Sequence, residues 1–337
     1  VVGDEAGTAI TTGDNNVAVG YGALDAEDTG IGSVAIGYNA LTAQNNDAIN
    51  YNVAVGTSAG AAVTTGTQNS LIGYGAGVAL TDADFNTVLG TNALATDTLG
   101  SKSTAIGTQA LATQNFTSAT DSFNTAIGYQ TGLNLTTGVN NTIIGALVGD
   151  ALTTGSNNIA IGRDALGADT AGNSNIAIGR LALGSQNFTS ATNSYNIGIG
   201  TQAGYAITTG IRNVLIGGLA GDALQDADFN VGVGYGALSA DTLGSGSVAI
   251  GDFTLVNQNF TSATTTYNTA VGYSAGSGVT TGQFNTLIGG VAGDALTTGS
   301  ENVAVGVSAL TTDTLGKKAV AVGNGALGVQ NFTSATD

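Results

Sequence analysis

Apolar and polar residues alternate along this chain in short bursts of three, each ended by glycine, as in Val17-Ala18-Val19-Gly20, Thr125-Ala126-Ile127-Gly128 and Ile176-Ala177-Ile178-Gly179. Period-two alternation over so few residues predicts short β-strands, and glycine at every burst excludes any sustained helix. The bursts recur. A glycine preceded by Val, Ile or Leu stands at nineteen anchor positions, from Gly3 through Gly56, Gly128, Gly200 and Gly272 to Gly323. Most spacings are 17 residues, one is 19 and three are 21. The interval from Gly56 to Gly128, Gly200 and Gly272 is 72 each time, so the chain repeats on two levels. A fixed short period with identical residues at each step predicts parallel strands stacked in register. The expected fold is an all-β parallel β-solenoid of about nineteen coils, spanning residues 1–337 as one repetitive segment. At roughly 4.8 Å per coil the stack would be about 90 Å long.

Positions are numbered here from the anchor glycine. The aliphatic residue at −1, such as Ile127 or Ile199, is expected to point inward as a continuous column. The residue at −2 is mostly Ala or Gly, becoming Leu71, Ile143, Leu215 and Leu287 at intervals of 72. That flat, apolar face is expected to lie outside, against a second copy of the chain; the alternative is that Ala fills a thin core. Asn occupies position −4 in 14 of 18 coils, among them Asn16, Asn124, Asn196 and Asn268, and its amide is suited to an internal ladder from coil to coil. At +4 the residues change in pairs, Leu94 and Leu111, then Gly132 and Gly149, then Leu166 and Leu183.

The 21-residue coils carry an insertion, Gln-Asn-Phe-Thr-Ser-Ala-Thr, at 114–120, 186–192 and 258–264, and the chain ends in another copy from Gln330. These inserts are expected to bulge from one edge. Phe116, Phe188, Phe260 and Phe332 are then candidate ligand contacts, since an exposed aromatic in a polar loop can stack on a sugar or anchor a protein; the competing reading folds each Phe back as a local plug. Asn115, Asn187 and Asn259 join them as candidate contacts and, with Asn331, begin Asn-Phe-Thr sequons.

Composition narrows the chemistry. There is no Cys, His, Met, Pro or Trp, and 23 acidic against six basic residues give a net charge of −17. Disulfides, thiol nucleophiles, the usual zinc ligands and a histidine base are therefore excluded, and a basic surface for nucleic acid or anionic lipid is absent. No apolar run approaches the length that spans a bilayer. Asp97, Asp169, Asp241 and Asp313 recur at 72-residue intervals, far enough apart to be read as a solvated face. Asp82 with Asp84, and Asp226 with Asp228, are candidate calcium ligands, although neither pair has the ligand array of an EF-hand loop. Glu27 and Asp28 are the nearest approach to a glycosidase pair, with no accompanying cluster of acids and aromatics. No motif calls for a cofactor, and the chain is not expected to be an enzyme. It opens and closes inside a repeat, as expected of a segment taken from a longer fibre protein.

The pattern Asn-x-Ala-Ile-Gly-x-x-Ala, running through nearly the whole chain, resembles the head repeats of trimeric autotransporter adhesins, the YadA-like family, and similar repeats in phage tail fibres and bacterial fibre proteins. The resemblance implies a left-handed parallel β-roll, three chains side by side around an axis, and an extracellular, cell-surface or virion location. It gives Asn124, Ile127 and Gly128, with Gly200 and their other equivalents, architectural roles. The common coil here, at 17 residues, is longer than the most familiar version of that repeat. The expected function is a structural and receptor-binding fibre, displaying repeated loops to a host receptor or a cell-surface glycan, as a homotrimer. Two alternatives remain: a non-binding spacer or surface filament, and an ice-binding solenoid. The latter would need Thr in regular rows, and Thr-Thr-Gly does not occur in every coil.

Overall fold

A computed structural model describes residues 1–332 and 334, so the last copy of the insert lies partly outside the described residues. The chain is an all-β parallel β-solenoid with turns of about 17 residues and, among the described residues, no helix. It divides into two compact units, one containing Val1–Asp164 and the other containing Thr192–Asp337, with short segments between them shared out. Each unit is a stack of coils, and each coil after the first, which pairs only through Val2, contributes one three-residue strand ending at the residue before its anchor glycine. In the first unit these run from Val17–Val19 to Ile159–Ile161, and in the second from Ile176–Ile178 to Val320–Val322.

Register is strict. Val17, Ala18 and Val19 pair with Val34, Ala35 and Ile36, and the 21-residue coils keep phase, Val248 pairing with Thr269 and Ile250 with Val271. The extra residues leave the main sheet undisturbed and add a small strand pair of their own, Gly100–Ser101 with Thr120–Asp121 in the first unit and Gly244–Ser245 with Thr264–Thr265 in the second.

The core is the reverse of the expected one. Ala18, Ala126 and Ala270 at −2 are fully buried, whereas the aliphatics at −1 are half-buried or exposed, Ile72 to 40%. Strand sterics explain the inversion: side chains alternate, so burying −2 turns −1 and −3 outward. The inward side is a narrow space between the strand and the returning half of the coil, already occupied by Ala at +3 and by the residues at +4 and +7. Small residues at −2 fit it, and the reading in which Ala fills a thin core is the one observed.

Where −2 is large, +4 gives way. Leu71 and Leu215 are fully buried, and the +4 residues beside them are Gly60 and Gly77, and Gly204 and Gly221. A Cβ added at Gly60 would lie 2.6 Å from Leu71 Cδ1, and one at Gly221 2.7 Å from Leu215 Cδ2. In the two coils that follow, Leu returns to +4 and −2 becomes smaller, Val88 and Ala105 after Leu71, and Gly232 and Ala249 after Leu215. Interior volume is thus conserved around a four-coil cycle, as close packing requires. Each fully buried leucine contributes about 1.5–3 kcal/mol relative to exposure.

Position +7 follows the same cycle and is buried in all but the two end coils: Val63 and Leu80, then Asp97 and Gln114; Ile207 and Leu224, then Asp241 and Gln258. When Leu moves to +4, the corner it vacates at +7 takes a polar pair.

The −4 ladder is present as expected. Asn196, Asn213 and Asn230 are buried, Asn213 Nδ2 donates to the Ala227 carbonyl at 2.7 Å, and Asn230 N donates to Asn213 Oδ1 at 3.0 Å. Each side chain closes its own coil and caps the next.

Candidate binding surfaces

The inserts do not display their aromatic residues. Phe116 is 5% exposed, and Phe188 and Phe260 are equally buried; Phe332, in the final coil, is 38% exposed. The cause is the carboxylate at +7. Asp97 Oδ1 accepts from Gly100 N at 3.0 Å and Phe116 N at 3.1 Å, while Oδ2 accepts from Gln114 Nε2 at 2.6 Å. Asp241 repeats this with Gly244, Phe260 and Gln258, and Asp313 with Gly316, Phe332 and Gln330. The carboxylate pulls the insert backbone onto the coil edge, and Phe closes over it as a plug. Phe116, Phe188 and Phe260 are therefore withdrawn as ligand contacts. Asn115, Asn187 and Asn259 do remain on the surface.

Asp97, Asp169, Asp241 and Asp313 are correspondingly buried, not the solvated face expected. Burial pushes the Asp241 carboxyl above the ordinary aspartate range, partly opposed by its hydrogen bonds from Gln258, Phe260, Gly244 and Thr242. Glu27 plays the same part near the start of the chain, accepting from Gly30 N at 2.7 Å, Gln44 Nε2 at 2.8 Å and Asn50 Nδ2 at 3.0 Å.

The four candidate calcium ligands are engaged between coils. Asp82 and Asp226 accept from the hydroxyls of Thr65 and Thr209, at 2.8 and 2.9 Å, and Asp84 and Asp228 accept from the backbone N–H of Thr67 and Ile211, at 2.6 and 2.7 Å. All four carboxylates tie one coil to the preceding one. Among the described residues no three His, Cys, Asp or Glu side chains gather where they could hold a metal ion.

Two other surfaces stand out. One is the outer face of the strands, where the −1 and −3 rows present Val, Ile, Leu and Thr, with Ser70 the one exception and no charged residue in either row. The other lies at −5, immediately before the ladder Asn. Here the chain turns through a left-handed corner, φ near +60° at Phe85, Lys102 and Phe229, which throws the side chain outward.

Aromatic residues fill much of this row. Tyr51, Phe85 and Phe123 in the first unit, and Tyr195, Phe229, Tyr267 and Phe284 in the second, are all exposed. Cations are interleaved with them: Lys102 Nζ sits 5.2 Å from the Phe123 ring centre and pairs with Asp121 at 2.5 Å, and Arg212 lies 5.5 Å from the Phe229 ring. Tyr267 and Phe284 are 6.1 Å apart. A signal for this row was present in the sequence, since Tyr51, Phe123, Tyr195 and Tyr267 each directly precede a ladder Asn at intervals of 72.

Known proteins add no relative to this picture: no family model matches the chain, and no curated protein and no solved structure matches it.

Proposed function

We propose that this chain is a segment of a structural attachment fibre, in which the solenoid is the scaffold and the exposed aromatic row at −5 is the contact surface for a cell-surface glycan or receptor. The observation that carries this reading is the row itself. Exposed aromatic side chains, which also occur at +1 as Tyr38, Tyr129 and Tyr273, cost solubility and add nothing to the core, whereas a row of them such as that at −5 offers stacking faces to an extended ligand. The row replaces the insert phenylalanines as the point of attachment. Retention of the protein on glycan-coated beads or intact cells tests the reading. Replacing Tyr51, Phe123 and Tyr195 together with Ser is expected to reduce retention by about tenfold or more, with the melting temperature unchanged. Equal retention of the two forms, or none by either, leaves only a spacer.

The uncharged strand face favours a second element of the same proposal, lateral association of copies of the chain as a homotrimer. The interface is then made by −1 and −3, and not by −2. Light scattering is expected to give a mass near three times 32.7 kDa, and Ile127→Lys with Ile199→Lys to give the monomer. A monomeric parent overturns it.

A further inference from the structure

The −5 row of the second unit has one gap. Arg212, Phe229, Tyr267 and Phe284 occupy successive places in it, except that Gly246 stands between Phe229 and Tyr267. Over this glycine lies a cleft of about 370 Å³, lined by Phe229 and Tyr267 as its two sides and by Asp228, Ser245, Gly246 and Thr265. The rings are two coils apart, roughly 9.6 Å, which leaves room for one small group in contact with both. At Gly32, the other glycine at this register, the next ring lies closer, Tyr51 Cδ1 being 2.8 Å from where a Cβ would be against 3.5 Å for Tyr267 at Gly246.

What the cleft accepts can be read from its counterpart in the first unit, 144 residues earlier. There the same place is held by Lys102, set between Phe85 and Phe123, with Asp84 in the position of Asp228. Its ammonium lies 5.2 Å from the Phe123 ring centre and 2.5 Å from an Asp121 oxygen. The cleft in the second unit keeps the aromatic pair and the aspartate of Asp84, as Asp228, but lacks the lysine and has Thr265 in the place of its partner Asp121. Asp228 uses Oδ1 to accept from Ile211 N, at 2.7 Å, and its own N–H donates to Ser245 Oγ, at 2.9 Å; among the described residues no protein donor is assigned to Oδ2. Two ring faces and a carboxylate around a space the size of a small head group are the elements of a cation cage, and a net charge of −17 draws cations towards it.

We infer that the cleft between Phe229 and Tyr267 binds an organic ammonium group, supplied by an amino sugar, a choline head group or a lysine side chain of another protein. Asp228 neutralises the charge, and the rings cover the carbon atoms attached to nitrogen. The cleft's chemistry does not depend on what the rest of the row contacts.

The test uses the whole chain and three soluble probes, choline, glucosamine and Nα-acetyl-lysine amide, with N-acetylglucosamine as the neutral counterpart of the second. Saturation-transfer NMR from the aromatic protons is expected to label the probe protons next to nitrogen. The strongest of the three identifies the source of the ammonium. Gly246→Lys supplies the chain's own ammonium. The substitution fits, since an added Cβ lies 3.5 Å from Tyr267 Cδ1 and the same corner already holds Lys102 and Arg212. It is expected to abolish the transfer with the melting temperature unchanged. Tyr267→Ala, at a side chain 63% exposed, and Asp228→Asn are each expected to weaken binding about tenfold, and raised salt to weaken it further.

Three results overturn the inference: no transfer to any ammonium probe, transfer that survives Gly246→Lys, or equal binding of N-acetylglucosamine and glucosamine. The last would mean that the sugar ring and not the charge is recognised. Since Tyr51, Phe123 and Tyr195 are untouched here, any of these results leaves the attachment reading to stand or fall on its own experiment.

Discussion

Gly217→Ala is expected to unfold the coil it sits in, at a cost of about 4 kcal/mol or more, beyond the range of ordinary surface substitutions. Two effects add. The anchor glycines have φ between +116° and +145°, and Gly217 itself is at +134°, a conformation that an L side chain adopts only with strain of order 1–3 kcal/mol. A Cβ at Gly217 would also lie 2.4 Å from the carbonyl oxygen of Gly234, the anchor of the next coil. That oxygen is backbone in a stacked strand and cannot rotate away. The neighbouring coils are held by Gly217 N donating to Ile199 O at 2.8 Å and Gly234 N to Ile216 O at 2.8 Å, so pushing the two anchors apart strains the ladder on both sides. Urea denaturation checks the size of the effect, and limited proteolysis its place: new cleavage sites should cluster around 217–234. A variant as stable as the parent would show that coil spacing is not fixed by the anchor glycines.

The anchors were legible in the sequence because a steric requirement repeated nineteen times leaves nineteen identical residues. The ladder was legible for the same reason. Which side of the strand faces inward was not. A three-residue burst such as Val17-Ala18-Val19 has large residues on one face and a small one on the other, and side-chain volume alone points the larger ones to the core. That assumes an interior with room for them. Two patterns in the chain, taken together, contradict it: Leu71, Ile143, Leu215 and Leu287 appear at −2 where +4 becomes Gly, as at Gly77, Gly149, Gly221 and Gly293. Residues that exchange volume share a space, so −2 and +4 both face inward.

The same logic places Asp97 and Asp241. Both stand at +7, where neighbouring coils have Leu or Val, which marks the register as interior whatever the charge. The burial of Phe116 and Phe260 follows from those carboxylates and could not be read from the insert alone. The cleft over Gly246 was least visible of all, since it depends on a missing side chain between residues 38 positions apart in the sequence.

Interrupting the ladder is expected to be nearly as damaging as crowding the anchor, and for an electrostatic instead of a steric reason. In Asn213→Ala, the carbonyl of Ala227 loses the 2.7 Å donor Nδ2, and the backbone N–H of Asn230 loses its 3.0 Å acceptor Oδ1. The lost side chain comes from a fully buried residue, and each buried group left unsatisfied costs about 1–3 kcal/mol, giving about 3–5 kcal/mol with the loss of packing. Asn196 Oδ1 loses the 3.3 Å bond from Asn213 Nδ2 but keeps the backbone N–H of residue 213, at 2.9 Å, so the damage runs mainly towards the following coil.

Hydrogen exchange resolves this direction. Protection of the Asn230 amide should fall steeply, while the Asn285 amide, bonded to Asn268 Oδ1 at 2.9 Å several coils away, should keep its protection, because in a stack each coil depends mainly on its immediate neighbours. Asn213→Asp separates the two halves of the role. It retains an acceptor for Asn230 N–H but cannot donate to Ala227, so protection at Asn230 should recover while overall stability stays below that of the parent. Loss of protection along the whole unit in either variant would show that the coils unfold as one cooperative block, and the ladder would then be a global stabiliser and not a chain of local caps.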